Sequence, residues 1–179
     1  MVVDAVRQTM ELMDLKLVTQ AVEMIEQAPS VLCIGSGGSM IMASECAHQF
    51  STVCSKFSAV SDAHMQISAV ATMDPSDVII LFSYSGATTG GLQILELARQ
   101  RGIRTILVTR FQKSPAAKLS NVVLRCGSNE SPVQFGSVQA KVAQLVVIDA
   151  LFQEYYLRNQ RSCEESIQSI ASALSVMHI

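Results

Sequence analysis

Charge is scarce in this chain. Charged residues make up 16% of it, the formal net charge is −2, and Lys and Arg are scattered, not clustered. Binding to a nucleic-acid backbone needs a basic patch, so the chain by itself has no electrostatic footprint for DNA or RNA. No apolar stretch reaches the roughly 18 residues that a membrane-crossing helix requires. Asp4 and Glu11 interrupt the first apolar residues and no signal-peptide pattern is seen, so cytoplasm is the expected location and no membrane partner is expected. The cysteines, Cys33, Cys46, Cys54, Cys126 and Cys163, are odd in number and form no C-x-x-C pair. They read as reduced thiols acting as small hydrophobes, with Cys33 and Cys126 inside predicted strands. Cys46 and His48 are two apart on a predicted helix and do not share a face. Neither a metal nor a cofactor is expected. Internal repeats and low-complexity tracts are also lacking.

What is present is a core. Apolar residues make up 49% of 179 residues, enough for one well-packed domain. Val3, Val6, Met10 and Met13 recur at spacings of three and four, with Leu17 continuing the series, which predicts a helical seam over 2–13. Asp14 is placed to cap a second helix that stops before Pro29. Strands are predicted at 31–34, 57–60, 78–82, 105–108 and from 122 to 124 or 126. Helices are predicted at 40–53, 63–72, 90–100, in a short turn opened by Ser114-Pro115, at 137–157 and at 163–177. The apolar residues of 137–157 exceed one face, so that helix is either deeply buried or lies at a subunit interface. The only long polar loop is 126–136.

Strands alternating with helices predict an α/β fold. The expectation is a three-layer αβα sandwich around a five-stranded parallel sheet in the flavodoxin-like order 2-1-3-4-5. In that order strands 1 and 3 are neighbours at the switch point, and ligands bind beyond their carboxyl ends. A single domain is expected: N-terminal helices in 1–27, an αβα core in 28–158 and a C-terminal helix in 163–178.

Two turns carry the chemistry. After strand 3, Ser83-Tyr84-Ser85-Gly86-Ala87-Thr88-Thr89 brings hydroxyls into a turn that pivots on Gly86 and opens a helix. First-turn N–H groups lack intrahelical partners and the helix dipole favours an anion there. With no lysine in the turn, hydroxyls and backbone would do the binding, which suits a small sugar phosphate better than a nucleoside triphosphate. The plain alternative is a helix cap without a ligand. After strand 1, Gly35-Ser36-Gly37-Gly38-Ser39 lets backbone approach a ligand closely. The dinucleotide fingerprint G-x-G-x-x-G fails here because position 40 is Met, although Asp62 sits where a ribose-binding carboxylate would. No P-loop occurs. Tight strand-to-helix packing is the alternative for this turn.

His64 is a candidate acid or base, or a donor to sugar hydroxyls, against a surface or subunit-contact role. Glu130 is the best carboxylate for proton abstraction, against simple solvation, and Ser137 is a further candidate sugar contact. Arg104, Arg110 and Lys113 flank strand 4, as rim residues or as ordinary surface charge.

The pattern Gly35-x-Gly37-Gly38-Ser39 together with Ser83-Tyr84-Ser85-Gly86-Ala87-Thr88 resembles the sugar isomerase (SIS) domain over about residues 10–160. The resemblance implies that Ser83, Ser85 and Thr88 grip the phosphate of a phosphosugar, with backbone N–H from Tyr84 and Gly86, and that Ser36, Gly37, Gly38 and Ser39 complete the sugar pocket. Ser61-Asp62-Ala63-His64-Met65-Gln66 and the segment from Ala143-Gln144 to Leu151-Phe152 look like RpiR-type transcriptional regulators, in which such a domain senses a sugar phosphate behind an N-terminal helix-turn-helix. This chain departs from them at Ala140-Lys141, where Ser-Arg is common. It is expected to be either the effector domain alone, with no DNA-binding domain of its own, or a free-standing relative.

The resulting expectation is a phosphosugar-sensing module that forms a homo-oligomer, a dimer or tetramer. The competing reading is an aldose–ketose phosphosugar isomerase, for which Glu130 and His64 are the only available catalytic pair.

Overall fold

The structure is a computed structural model and describes residues 1–127 and 137–175. Its centre is a parallel sheet built from β1 (Val31–Gly35), β2 (Phe57–Ala59), β3 (Val78–Phe82), β4 (Arg104–Thr109) and β5 (Val122–Arg125), in the order β2-β1-β3-β4-β5. Alternate residues of the central strands serve different layers. Val31, Cys33, Val78, Ile80, Phe82, Ile106 and Val108 face one side. Leu32, Ile34, Ile79, Leu81 and Leu107 face the other. Burial on both sides explains why these strands read as unbroken apolar runs.

The first face is covered by α1 (Val2–Leu12), α2 (Leu15–Gln27), α3 (Gly38–Ser51) and α7 (Val138–Arg158). The second is covered by α4 (Ala63–Thr72), α5 (Thr89–Arg101) and α6 (Pro115–Leu119). This is the expected sandwich, with the expected strand order. Much of the small aromatic content gathers in the first layer. Phe50 stacks on Phe57 at 4.1 Å and meets Phe152 and Tyr155 edge-on at 5.4 and 5.5 Å.

The width of the apolar surface on α7 has an explanation within one chain. Three helices, α1, α2 and α3, pack around it. Val138 and Leu145 stay outside that contact, 63% and 36% exposed.

Helix α1 corrects the sequence-based expectation. The helix is there, but Val3 and Met10 of the predicted seam are 59% and 65% exposed, while Ala5 and Thr9 are buried. Small residues allow the closer approach. A Cβ on Gly127, just past β5, would stand 2.9 Å from Gln8 Cβ and Leu12 Cδ1. The Thr9 hydroxyl donates to Ala5 O at 2.7 Å and accepts the Gly127 N–H at 3.0 Å. Close packing through a small face overrides the larger hydrophobes.

Two further boundaries differ from expectation. Cys126 falls just beyond β5, where burial pushes its thiol up to about 12. The thiol of Cys46 is raised too, by its hydrogen bond with Cys33 and by burial. The last helix, α8 (Gln160–Ser175), starts earlier than expected. Asn159, at φ −121° and ψ 28°, ends α7. Its carbonyl then accepts the Cys163 N–H at 3.0 Å and begins the next helix. The polar run 158–162 conceals this in the sequence.

The α2–α7 contact is locked by charge at its open end. Arg158 donates from Nε to Glu26 Oε1 and from Nη2 to Glu26 Oε2, both at 3.0 Å, and Asn159 Nδ2 donates to Glu26 Oε1 at 2.8 Å. The Arg158 hydrogen bond holds the Glu26 carboxyl below the ordinary value, against an opposing effect of burial. A lowered carboxyl stabilises the fold above its unfolded-state pKa of about 4.3 and loses that contribution as the pH falls through the folded value. Glu26→Gln should therefore cost on the order of 1 kcal/mol at pH 7, a drop of about 2–4 °C in melting temperature. The gap between variant and parent should close as the pH is taken below about 4.3 in the same thermal-melt series.

Candidate functional site

Strands β1 and β3 pair in parallel, with Gly35 opposite Phe82. The turns that leave them, 36–39 and 83–88, therefore start side by side at the carboxyl rim of the sheet.

The first turn is shaped by lack of side chains. A Cβ on Gly35 would lie 2.6 Å from the carbonyl carbon and oxygen of Ser39. Helix α3 is thus seated directly on the end of β1. Gly37 adopts φ 55° and ψ −125°, a conformation that side-chain-bearing residues avoid. A Cβ on it would meet nothing within 4 Å, so the backbone of the turn is open on its outer side. Ser36 and Gly37 are exposed, Gly38 and Ser39 half-buried. From behind, Gln144 on α7 donates through Nε2 to the Ser39 hydroxyl at 3.5 Å. Gln66 on α4 donates to Gly35 O at 3.0 Å and to Val60 O at 2.8 Å, tying the ends of β1 and β2 together. Both glutamines are buried.

The second turn is held by its backbone and presents hydroxyls. The Ser83 N–H donates to Val108 O at 3.0 Å, and the Gly86 N–H to Ser83 O at 3.1 Å. Tyr84 O accepts the Arg110 N–H at 3.0 Å and the Thr109 hydroxyl at 3.1 Å. Gly86 sits at φ 62°. A Cβ there would run into the Ser114 hydroxyl and stand 2.5 Å from Ser114 Cβ. The oxygens of Ser83 and Thr88 are 3.4 Å apart, and Ser85 Oγ accepts the Ala87 N–H at 3.3 Å.

Capping does not account for Thr88. Asp14, Asp62, Ser114 and Ser137 each accept a first-turn N–H of the helix they open. Thr88 occupies the same position before α5 but its side chain makes no such bond. Helix α5 then begins Thr89-Gly90-Gly91, and a Cβ on Gly90 would find open space. Its first-turn N–H groups are consequently reachable, with the helix dipole behind them.

The other predicted residues divide. The Asp62 carboxylate accepts the Met65 N–H at 2.9 Å and is a helix cap, not a ribose ligand. The Ser137 hydroxyl likewise accepts the Ala140 N–H at 3.2 Å. His64 is exposed at the start of α4, and among the described residues its side chain bonds to neither turn. Glu130 lies outside the described residues. Arg104 is at the opposite end of β4 and donates to Gln27 Oε1 at 2.9 Å, so it is no rim residue. Arg110 reaches the rim through its backbone, and Lys113 is exposed. Gln144, Gln66, Thr109 and Ser114 support the two turns as well, beyond the residues expected from the sequence. The available signal was polarity out of place, since Gln144 interrupts the apolar run from Val142 to Ile148.

Gly86→Ala should cost about 1–3 kcal/mol for its backbone conformation alone, with the Ser114 clash added to that. Gly90→Ala should stay within about 0.5 kcal/mol of the parent. Urea denaturation of both variants checks the contrast.

The SIS domain pattern matches residues 24–153. Over 178 residues the chain is 29% identical to the uncharacterized HTH-type transcriptional regulator YbbH of Bacillus subtilis, covering 99% of this chain and 63% of YbbH. It is 29% identical over 118 residues to the HTH-type transcriptional regulator RpiR of Escherichia coli K12, covering 66% of this chain and 40% of RpiR. The chain thus spans about two thirds or less of the length of these curated relatives. Among solved structures, the Vibrio vulnificus NanR protein complexed with ManNAc-6P superposes with a TM-score of 0.92 at 26% identity, covering 98% of this chain and 66% of that one. With the strand order, the two rim turns and the matched span in agreement, this chain belongs to the SIS domain family.

Proposed function

We propose that the chain is the phosphosugar-binding, effector-sensing SIS domain of an RpiR-type transcriptional regulator. The observation that carries this reading is the side-by-side placement of the two turns at the ends of β1 and β3, one stripped of side chains and one rich in hydroxyls. Ser83, Ser85 and Thr88, with backbone N–H from Tyr84 and Gly86, take the phosphate. Ser36, Gly37, Gly38 and Ser39 take the sugar. The names of YbbH and RpiR support the regulator reading, and the bound ManNAc-6P of NanR supports a phosphosugar as effector.

The unit is one domain, with the helices of 1–27 laid against the αβα core. Ligand draws the two turns together and shifts subunit packing, to the extent that it binds the two states with different affinity. In a longer regulator α1 carries that shift toward a DNA-binding segment. Self-association runs along α7, where Val138 and Leu145 remain exposed. An isomerase would need a base and an acid at the sugar, and the exposed position of His64 gives that reading no support.

Thermal shift with a panel of hexose and amino-sugar phosphates should show saturable stabilisation, and none of those ligands should turn over. The double variant Ser85→Ala/Thr88→Ala should bind the stabilising ligand about tenfold or more weakly, since each charge-assisted bond is worth on the order of 1.5–3 kcal/mol. Unchanged affinity would remove the phosphate assignment. Turnover that disappears in Glu130→Ala would replace the sensor by the enzyme.

A further inference from the structure

Between the elbow that joins α1 to α2 and the edge strand β5 lies a cavity of about 130 Å³. Most of its wall is apolar: Leu12, Met13, Leu17, Val18, Leu124 and Val147. Val18, Leu124 and Val147 are buried, whereas Asp14 and Gln112, which also line it, are exposed. The cavity thus has an apolar floor and a polar mouth, the arrangement by which small-molecule sites hold a ligand body and orient its polar end. A void of about 150 Å³ holds benzene, so this one takes an aliphatic group of about four or five carbons and has no room for a sugar phosphate.

The charges around the cavity are left unpaired. Arg125 lines it, half-buried at the end of β5. Its Nε–H is buried without an acceptor among the described residues, a state that polar groups in folded proteins rarely keep. Neither Arg125 nor Asp14 takes part in an ion pair among the described residues. Asp14 gives one carboxylate oxygen to the Lys16 N–H at 2.9 Å. One cavity therefore carries a guanidinium and a carboxylate that do not satisfy each other. A simple anion drawn to Arg125 is repelled by Asp14, and a simple cation meets the reverse. A ligand that carries both charges satisfies both.

We infer that this cavity binds a free α-amino acid with an aliphatic side chain, of the size of valine or leucine. The side chain fills the floor, the carboxylate pairs with Arg125 and the ammonium group with Asp14. Pairing gives the Arg125 side chain the acceptor that it lacks. An occupant ties the elbow to the edge of the sheet, and α1, which packs on α7, is held with it. The site is separate from the turns at the rim and does not depend on the phosphosugar reading.

Calorimetric titration and thermal shift with leucine test it, beside two analogues that each lack one charge, isovalerate and isopentylamine. Leucine should bind saturably and raise the melting temperature. Each analogue should bind at least about tenfold more weakly, because it leaves one charged group of the cavity without a partner. Asp14→Asn keeps a side chain that caps α2 and should weaken leucine at least about tenfold, as should Arg125→Met. Both variants should keep the circular dichroism spectrum of the parent, and Leu17→Phe, which fills the cavity, should abolish leucine binding. Absence of a saturable response to leucine and valine would overturn the inference. So would analogues that bind as tightly as leucine, or a leucine affinity that Asp14→Asn and Arg125→Met leave unchanged.

Discussion

Direct pairing of β1 with β3 is the constraint on which the rest of this structure depends. Their register brings Gly35 level with Phe82, and everything at the carboxyl rim follows from that alignment. A strand inserted between them would separate the two turns by a further sheet spacing, about 4.8 Å. The doubly wound order avoids this by sending the chain out to β2 and back across β1 before β3 is laid down.

The site is built by subtraction as much as by addition. Gly35 lets α3 rest on the strand end, Gly37 leaves the turn uncovered, and Gly90 leaves one side of the start of α5 bare. The polar groups at the two turns are hydroxyls and peptide N–H groups, and two buried glutamines brace the first turn from behind. Such donors are neutral and directional. Donors of that kind select an anion by its shape, whereas a lysine acts as a point charge.

Much of this was legible in the amino-acid sequence. The central strands announce themselves as apolar runs because both of their sides are covered, and the turns announce themselves by glycine and hydroxyl clusters. Other parts were hidden for physical reasons. The seam of α1 was read from hydrophobicity, but contact with α7 and Gly127 selected the small residues Ala5 and Thr9. The join between α7 and α8 was masked by a polar run whose Asn159 both ends one helix and starts the next. Gln66 and Gln144 look like surface residues until the fold places them beneath the rim. Asp62 and Ser137 have the composition of ligand residues, and their bonds to backbone N–H groups give each a capping role.

The hydroxyl of Thr9 joins the middle of the first helix to the residue just past the last strand, where Gly127 leaves no room for a side chain. Two regions far apart in the chain thus share one joint, and it lies at the same end of the sheet as the turns 36–39 and 83–88. A mutation that enlarges residue 127 runs into Gln8 and Leu12 and pries the leading helix from its seat. Whatever moves that helix therefore strains the Thr9 bond as well as the packing against α7.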